Sequence, residues 1–374
     1  MKNPFSFGRL AEGNSFTDRE KETERLCSNF SNSTNTILIS PRRWGKSSLV
    51  KKAGDLSKSA TVKVVYLDVF AIRSEQDFYK EFAQTIIKSA SSKWEDWVAL
   101  VKQFFKQIVP KISMGSDPTN TFSISFDWQD IEKDAREILD LPERIAQDKN
   151  IRFVICIDEF QNISTFQQPL AFQKQLRSIW QQHQSTCYCL YGSKFHMMQE
   201  IFERQSMPFY RFGDLIHLNK ISEMDWIQYI DNQFQETGKQ INETFIRMII
   251  CSVNRHSYYV QQLSYLVWGR TTDMVTSEIV EEALDDMLNQ NAILYQRDTD
   301  DLSATQLNFL RAVTSGETTN LSSSNTIKKY NLGTSANVTK IKKQLLNREI
   351  IDIQKKEVSF VDPVYELWFQ RNCI

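Results

Sequence analysis

Ser40-Pro41-Arg42-Arg43-Trp44-Gly45-Lys46-Ser47-Ser48 is the stretch from which the rest of the 374-residue chain is read. An apolar run, Thr36-Ile37-Leu38-Ile39, precedes it, and a helix-like run, Ser48-Leu49-Val50-Lys51-Lys52-Ala53, follows. Strand, loop and helix in that order are the setting of a phosphate-binding loop. Such a loop aims backbone N–H groups at a phosphate, and the helix behind it adds the positive end of its dipole. In this reading the loop from Ser40 to Ser48 cradles phosphate, Lys46 reaches the β- and γ-phosphates, and the Ser47 hydroxyl holds Mg²⁺. One position departs from G-x-x-x-x-G-K-[ST]: the first glycine is Ser40. Serine has fewer backbone angles open to it, so the turn into the loop is expected to differ. A basic surface loop after a strand is the plain alternative. The Gly-Lys-Ser-Ser run between strand and helix disfavours it.

A second informative run lies further on. Arg152-Phe153-Val154-Ile155-Cys156-Ile157 reads as a continuous apolar strand, as in a strand covered on both faces. It ends in Asp158-Glu159-Phe160-Gln161. An acid at the carboxyl end of a buried strand suits holding Mg²⁺ through water. The next acid suits polarising an attacking water as a general base. Charged residues commonly end strands, so the pair gains meaning from the phosphate loop beside it.

The bulk composition narrows the classes. The length allows two or three domains with real cores. Hydrophobic residues at 41% and charged residues at 24% describe an ordinary globular protein. A net charge of -1 gives no global field toward nucleic acid or membrane. No apolar run is long enough for a membrane span, and Met1-Lys2-Asn3-Pro4-Phe5 lacks the apolar core of a signal peptide. Six cysteines are scattered, with Cys187 and Cys189 the one close pair and no C-x-x-C, which disfavours metal and disulfide readings. The four histidines form no H-E-x-x-H or similar cluster. The expected compartment is the cytoplasm.

Ahead of the phosphate loop, Thr17 or Asp18 is expected to cap a helix with Lys21, Glu24 and Arg25 outside and Leu26 inside. A loop-to-helix element in that place often lies over the nucleotide base, although an ordinary surface helix explains it equally well. Thr61 to Asp68 reads as a second strand by its β-branched content. A helix follows from about Glu75 to Ala90, with Phe78, Phe82 and Ile86 on one face. Trp94, Trp97, Leu100, Phe104 and Phe105 continue an apolar stripe that reads as core. Ile112 to Asp127, with the alternating Phe122-Ser123-Ile124-Ser125-Phe126, reads as a hairpin insertion. One helix is expected from about Asp130 to Gln147. After a helix from Phe172 to Gln182, the strand Thr186 to Ser193 ends in a polar residue. Ser193, with Lys194 beside it, is a candidate γ-phosphate sensor, simple strand termination being the alternative. A helix from Met197 to Phe202, the run Pro208 to Asp214 and a short strand Leu215 to Leu218 complete this part. Five strands alternating with helices imply a mostly parallel sheet.

From Ser222 the pattern is helical, with Ser222-Glu223-Met224-Asp225 as a capping box. Helices are expected through Trp226–Thr237, Glu243–Asn254, Tyr258–Gly269 and Thr276–Tyr295. Asp298-Thr299-Asp300-Asp301 reads as a polar break and a boundary. Beyond it come helices over Ser303–Val313, near Ile327–Tyr330 and over Val338–Asn347. The last buries Val338, Ile341, Leu345 and Leu346. Strands Ile350–Ile353 and Val358–Val361 follow. That order is a winged helix-turn-helix. Between 320 and 357 eight Lys and Arg (Lys328, Lys329, Lys340, Lys342, Lys343, Arg348, Lys355, Lys356) face three acids, a local excess of five. A basic third helix and wing suit phosphate contacts, and a solvated face on a protein-docking module suits them nearly as well.

With these residues placed, the chain resembles the archaeal-type ATPase family, a STAND and AAA+-like branch of the P-loop NTPases that also occurs in bacteria of the Bacteroides group. Phe16-Thr17-Asp18-Arg19-Glu20 resembles the family's F-x-x-R-E opening, which implies that Phe16 and Arg19 lie near the base. Ser40 to Leu49 resembles its G-P-R-R-x-G-K-[ST]-S-L loop, and Asp158-Glu159-Phe160-Gln161 its D-E-F-Q acid strand. Tyr191-Gly192-Ser193 and Pro208-Phe209-Tyr210-Arg211 resemble its sensor strand and arginine motif. Asn254-Arg255-His256-Ser257-Tyr258-Tyr259-Val260-Gln261 resembles its G-x-H-P-Y-Y-x-Q segment, with Asn254 and Ser257 in place of glycine and proline. Val361-Asp362-Pro363 through Trp368 resembles its D-P-x-x-x-x-W ending.

The expectation is therefore an α/β P-loop NTPase core over 1–221 with a mostly parallel sheet, an all-α lid over 222–300 and a winged helix over 301–374. The expected cofactors are ATP and Mg²⁺, the latter on Ser47 and Asp158. The expected function is an ATPase acting as a conformational switch, with Glu159 orienting water and Ser193 reading the γ-phosphate. Arg211, Arg42 or Arg43 completes the site, and the sequence does not choose among them. A non-hydrolysing scaffold for a protein partner and a DNA-binding ATPase are the rivals. The expected partners are ATP and ADP, with DNA or a protein on the winged helix. No membrane is expected, and a nucleotide-dependent homo-oligomer stays open.

Overall fold

The computed structural model describes residues 2–10, 17–91, 93–105, 111–113, 123–125, 131–354 and 356–374. Phe16, Phe122, Phe126, Asp127, Asp130 and Lys355, singled out above, lie outside them. Two compact units emerge: Asp18–Asn219, and Met1–Thr17 together with Lys220–Ile374.

The first unit is built on a five-stranded sheet. Its strands are β1 (Thr36–Ile39), β2 (Val62–Asp68), β5 (Arg152–Asp158), β6 (Thr186–Gly192) and β7 (Asp214–His217), in the order β2-β5-β6-β1-β7. All neighbours are parallel. β1 and β6 are buried along their whole length, which explains their unbroken apolar runs. The insertion holds a separate antiparallel pair, β3 (Lys111–Ser113) with β4 (Ser123–Ser125), Ile112 facing Ile124. The hairpin reading of this stretch holds for those residues.

Three local expectations are corrected. Neither Thr17 nor Asp18 caps the first helix, Glu20–Ser31; Arg19 precedes it with φ 76, and Asp18 has φ 56. The single helix read over 130–147 is two, Ile131–Leu139 and Leu141–Lys149. Pro142 sits in the first turn of the second, where its missing N–H costs nothing, but it cannot continue the helix before it. A short 3-10 helix, Phe160–Thr165, follows β5 directly and was not anticipated.

The second unit has one continuous hydrophobic cluster. The helices Glu223–Glu236, Glu243–Ser252, Ser257–Arg270 and Ser277–Asp300 come first. Helices Ala304–Thr314, Ser324–Lys329 and Ser335–Asn347 follow, then the antiparallel pair β8 (Ile351–Gln354) and β9 (Glu357–Phe360), then the helix Pro363–Asn372. Asp298-Thr299-Asp300 is not a break: the helix runs through it, because Thr299 is buried and meets the Tyr365 hydroxyl at 2.8 Å. The N-terminal peptide joins this unit. The Phe5 ring packs edge-on to Tyr229 at 6.1 Å and near Phe234 at 5.7 Å, and the Ser6 N–H donates to Gln261 Oε1 at 3.2 Å. Asn254 and Arg255 have φ of 48 and 54, so the left-handed turn is kept where the resembled segment carries glycine.

Candidate functional site

Parallel register decides which side chains meet. Ile39 at the end of β1 pairs with Gly192 at the end of β6, and Ile157 of β5 pairs with Leu190 of β6. The residues that leave β1, β5 and β6 therefore emerge side by side at the carboxyl edge of the sheet, where ligands of open α/β sheets bind. They are Ser40 with its loop, Asp158 with Glu159, and Ser193.

The loop enters through Ser40, which is fully buried and donates its hydroxyl to the Pro41 carbonyl at 3.1 Å. Gly45 ends the loop and precedes the helix Lys46–Ser57 with φ 91. A Cβ there would touch nothing, so backbone angle and not space demands glycine. Arg43 shares the left-handed region at φ 62. Lys46 is buried, and its Nζ donates to the carbonyls of Pro41 at 2.9 Å and Ser40 at 3.3 Å. Burial pushes its ammonium down to about 8; Asp158 and Glu159 hold the proton on, and Arg42 works against them.

The Ser47 hydroxyl donates to Asp158 Oδ2 at 2.8 Å, and the Glu159 N–H donates to Oδ1 at 2.8 Å. Burial nevertheless pushes the Asp158 carboxyl up to about 6 against those bonds, with the Glu159 charge adding to the rise. Glu159 itself has φ 51, a left-handed kink that turns the chain from strand into 3-10 helix. Its Oε2 accepts from the Ser193 hydroxyl at 2.9 Å and from the Gln161 amide.

A buried carboxyl near 6 is short of positive charge, and a buried lysine near 8 is short of negative charge. Hard oxygen donors on Ser47 and Asp158, next to that lysine, fit Mg²⁺ on a phosphate chain. Among the described residues no group of three or more His, Cys, Asp or Glu could hold a metal.

The structure thus brings together Ser40, Pro41, Lys46, Ser47, Asp158, Glu159 and Ser193. Ser48 is buried at the start of the helix behind the loop, while Arg42 and Arg43 are exposed and Trp44 is half-buried. Arg211 is not brought to the acids: it is exposed, has φ 53, and lays its guanidinium over the Tyr210 ring at 5.2 Å. Arg19 is buried and pairs with Glu22 at 3.2 Å. Sequence reasoning left Gln161 without a role; its position two residues past Glu159 was the available signal.

The family model for an ATPase domain predominantly from Archaea matches residues 16–249, and a probable winged helix domain matches 279–371. No curated protein matches the chain. Among solved structures, a Walker-type ATPase of Pyrococcus abyssi superposes with a TM-score of 0.65 at 16% identity, over 98% of this chain and 99% of that one. The Aeropyrum pernix ORC2 protein in ADPNP-ADP complexes gives 0.54 at 15%, over 98% of each chain. The Aeropyrum pernix ORC1 protein in complex with DNA gives 0.50 at 12%, over 96% of this chain and 94% of that one. At such identities the likeness is one of fold. Among the described residues no helix is long and apolar enough to cross a membrane.

Proposed function

The chain belongs to the family of ATPase domains found predominantly in Archaea, and from that premise we propose a Mg²⁺-dependent ATPase that acts as a nucleotide-driven conformational switch. The observation that carries it is the Ser47–Asp158 hydrogen bond, made beside Lys46 and Glu159 at the sheet's carboxyl edge. Phosphoryl transfer to water needs positioning and charge neutralisation more than covalent chemistry. In this reading the loop amides and Lys46 bind the phosphates of ATP. Lys46 exchanges two loop carbonyls for phosphate oxygens, so the loop rearranges on binding. Ser47 and Asp158 would hold Mg²⁺, which would supply charge neutralisation for the phosphates. Glu159 takes the proton of the attacking water, and Ser193 senses the γ-phosphate. Arg42 or Arg43, carried on the loop itself, is taken in this reading to meet the developing charge, with Arg211 the alternative.

The test is Glu159→Gln. Binding of ATP persists, because Lys46, Ser47 and Asp158 are untouched, while turnover falls roughly 10²-fold or more with loss of the base. Unchanged turnover, or a wild-type protein that binds ATP and never hydrolyses it, leaves the regulatory scaffold as the better account.

One observation favours a second reading, a DNA-binding ATPase. Lys340 and Lys343 are exposed on the helix Ser335–Asn347, and Lys328, Lys329 and Lys356 are exposed nearby in sequence. A structural neighbour was solved in complex with DNA, and residues 279–371 of this chain match a probable winged helix domain.

A further inference from the structure

We propose that Gln161 is a positioning residue for the hydrolytic step, holding the Glu159 carboxylate through a slot that Gly192 keeps open. The inference rests on the reading of Glu159 as the base, and it adds a residue and a device to that reading.

The geometry begins with the kink at Glu159. Its left-handed φ of 51 ends β5 and starts the 3-10 helix at once. Phe160 is thereby driven into the core, where its ring packs edge-on to Phe209 at 5.3 Å and lies 5.7 Å from Phe202. The next residue, Gln161, is fully buried. Its Nε2 donates back to Glu159 Oε2. Its Oε1 has no hydrogen-bond partner.

A fully buried amide with an unpaired oxygen is costly, because the oxygen has given up its water without gaining a partner. Packing alone does not account for it, since a leucine of similar size would fill the place without that loss. The amide is explained by what its other end does. Gly192, at the end of β6, makes the arrangement possible. A Cβ on Gly192 would stand 1.8 Å from Gln161 Oε1 and 3.0 Å from its Cδ, with Met198 Sδ at 3.1 Å on another side. The Gln161 side chain therefore lies close against Gly192, the one glycine of β6.

Two donors, from Gln161 and from Ser193, then share one carboxylate oxygen, Oε2. They come from different strands' ends, so together they fix the plane of the carboxylate and not only its distance. Among the described residues no donor is bonded to Oε1. That oxygen is the one available to a water. Ser193 has a second duty in the proposed mechanism, sensing phosphate, and cannot hold Glu159 throughout. Gln161, sealed from solvent, keeps the grip when Ser193 lets go.

The experiment measures steady-state ATP hydrolysis, ATP affinity and thermal unfolding for a set of variants of the full chain. Gln161→Leu is expected to lower kcat roughly tenfold or more, as misplacement of a catalytic group does, with ATP affinity unchanged. In the Glu159→Gln background, Gln161→Leu is expected to cost nothing further, because it acts only through that carboxylate. Gly192→Ala is expected to lower both the unfolding temperature and kcat. Pairing it with Gln161→Ala restores the unfolding temperature and leaves kcat low, which a purely structural role cannot produce. Wild-type kcat in Gln161→Leu, a full additive loss in the double variant, or kcat restored in Gly192→Ala/Gln161→Ala overturns the proposal. Should Glu159→Gln itself hydrolyse ATP normally, the base assignment fails first and this inference falls with it. A dead Glu159→Gln beside an active Gln161→Leu removes this inference alone.

Discussion

Ser47 Oγ and Asp158 Oδ2 lie 2.8 Å apart, although 111 residues separate them in the chain. This contact joins the phosphate loop to the acid strand and ties the site's chemistry to pH. Burial has moved Asp158 up to about 6 and Lys46 down to about 8. On the proposed reading, protonation of this carboxyl below about pH 6 removes its capacity to hold Mg²⁺. On the same reading, loss of the Lys46 proton above about pH 8 removes the charge proposed to meet phosphate. The expected profile of kcat/KM at saturating Mg²⁺ is a bell, falling on the acid side near 6 and on the basic side near 8, since that parameter reports the free protein. A flat profile between about pH 5 and about pH 9 contradicts the assignment of these two groups.

Lys46→Ala removes a point charge that the fold buries specifically at the loop. High-affinity ATP binding is expected to disappear, because bound phosphates would lose their point charge. Calorimetric titration of variant and wild type decides the matter. Equal affinities show that the loop is not the phosphate site.

Asp362 is the structural counterpart in the C-terminal unit. Its Oδ1 accepts from the Val364 and Tyr365 N–H groups, capping the last helix. Its Oδ2 accepts from the hydroxyls of Tyr259 at 2.5 Å and Tyr295 at 3.2 Å, both buried. Asp362→Ala is expected to destabilise by about 2–4 kcal/mol, combining a lost cap with two hydroxyls deprived of their acceptor. Asp362→Asn keeps the cap oxygen and falls between. Denaturant unfolding measures both. Equal stability in Asp362→Ala and wild type means that the two tyrosines find other partners at no cost.

The parts legible in the sequence were those with a local signature. The loop from Ser40 to Ser48 was readable because a strand and a helix flank it. The acids at 158 and 159 were readable because a buried strand has to end somewhere polar. The Gln161–Gly192 contact was not readable, since it depends on the register between β5 and β6. Docking of Phe5 on Tyr229 and Phe234 depends likewise on long-range packing. Asp298-Thr299-Asp300 misled for a different reason: aspartates disfavour helix weakly, and the buried Thr299–Tyr365 contact outweighs that preference. Pro142 is the opposite case, a local signal in the sequence that marks where the second of the two helices starts.

The final prediction concerns the winged helix and the second reading of function. Helix Ser335–Asn347 buries Val338, Ile341 and Leu345 and leaves Lys340 and Lys343 exposed, so its polar face is basic within a chain of net charge -1. Duplex DNA is expected to bind the full chain weakly and with little sequence preference. Lysine presents a point charge and lacks the fork with which arginine reads guanine. The helix carries no arginine before Arg348 at its end. Each of Lys340→Ala and Lys343→Ala is expected to reduce the salt slope of binding by about 1, uniformly across sequences. Titration with duplexes of differing sequence at several salt concentrations reads both quantities. A strong sequence preference contradicts the point-charge account. No binding at about 50 mM salt, where counterion release favours contact most, assigns the basic face to docking an acidic protein surface instead.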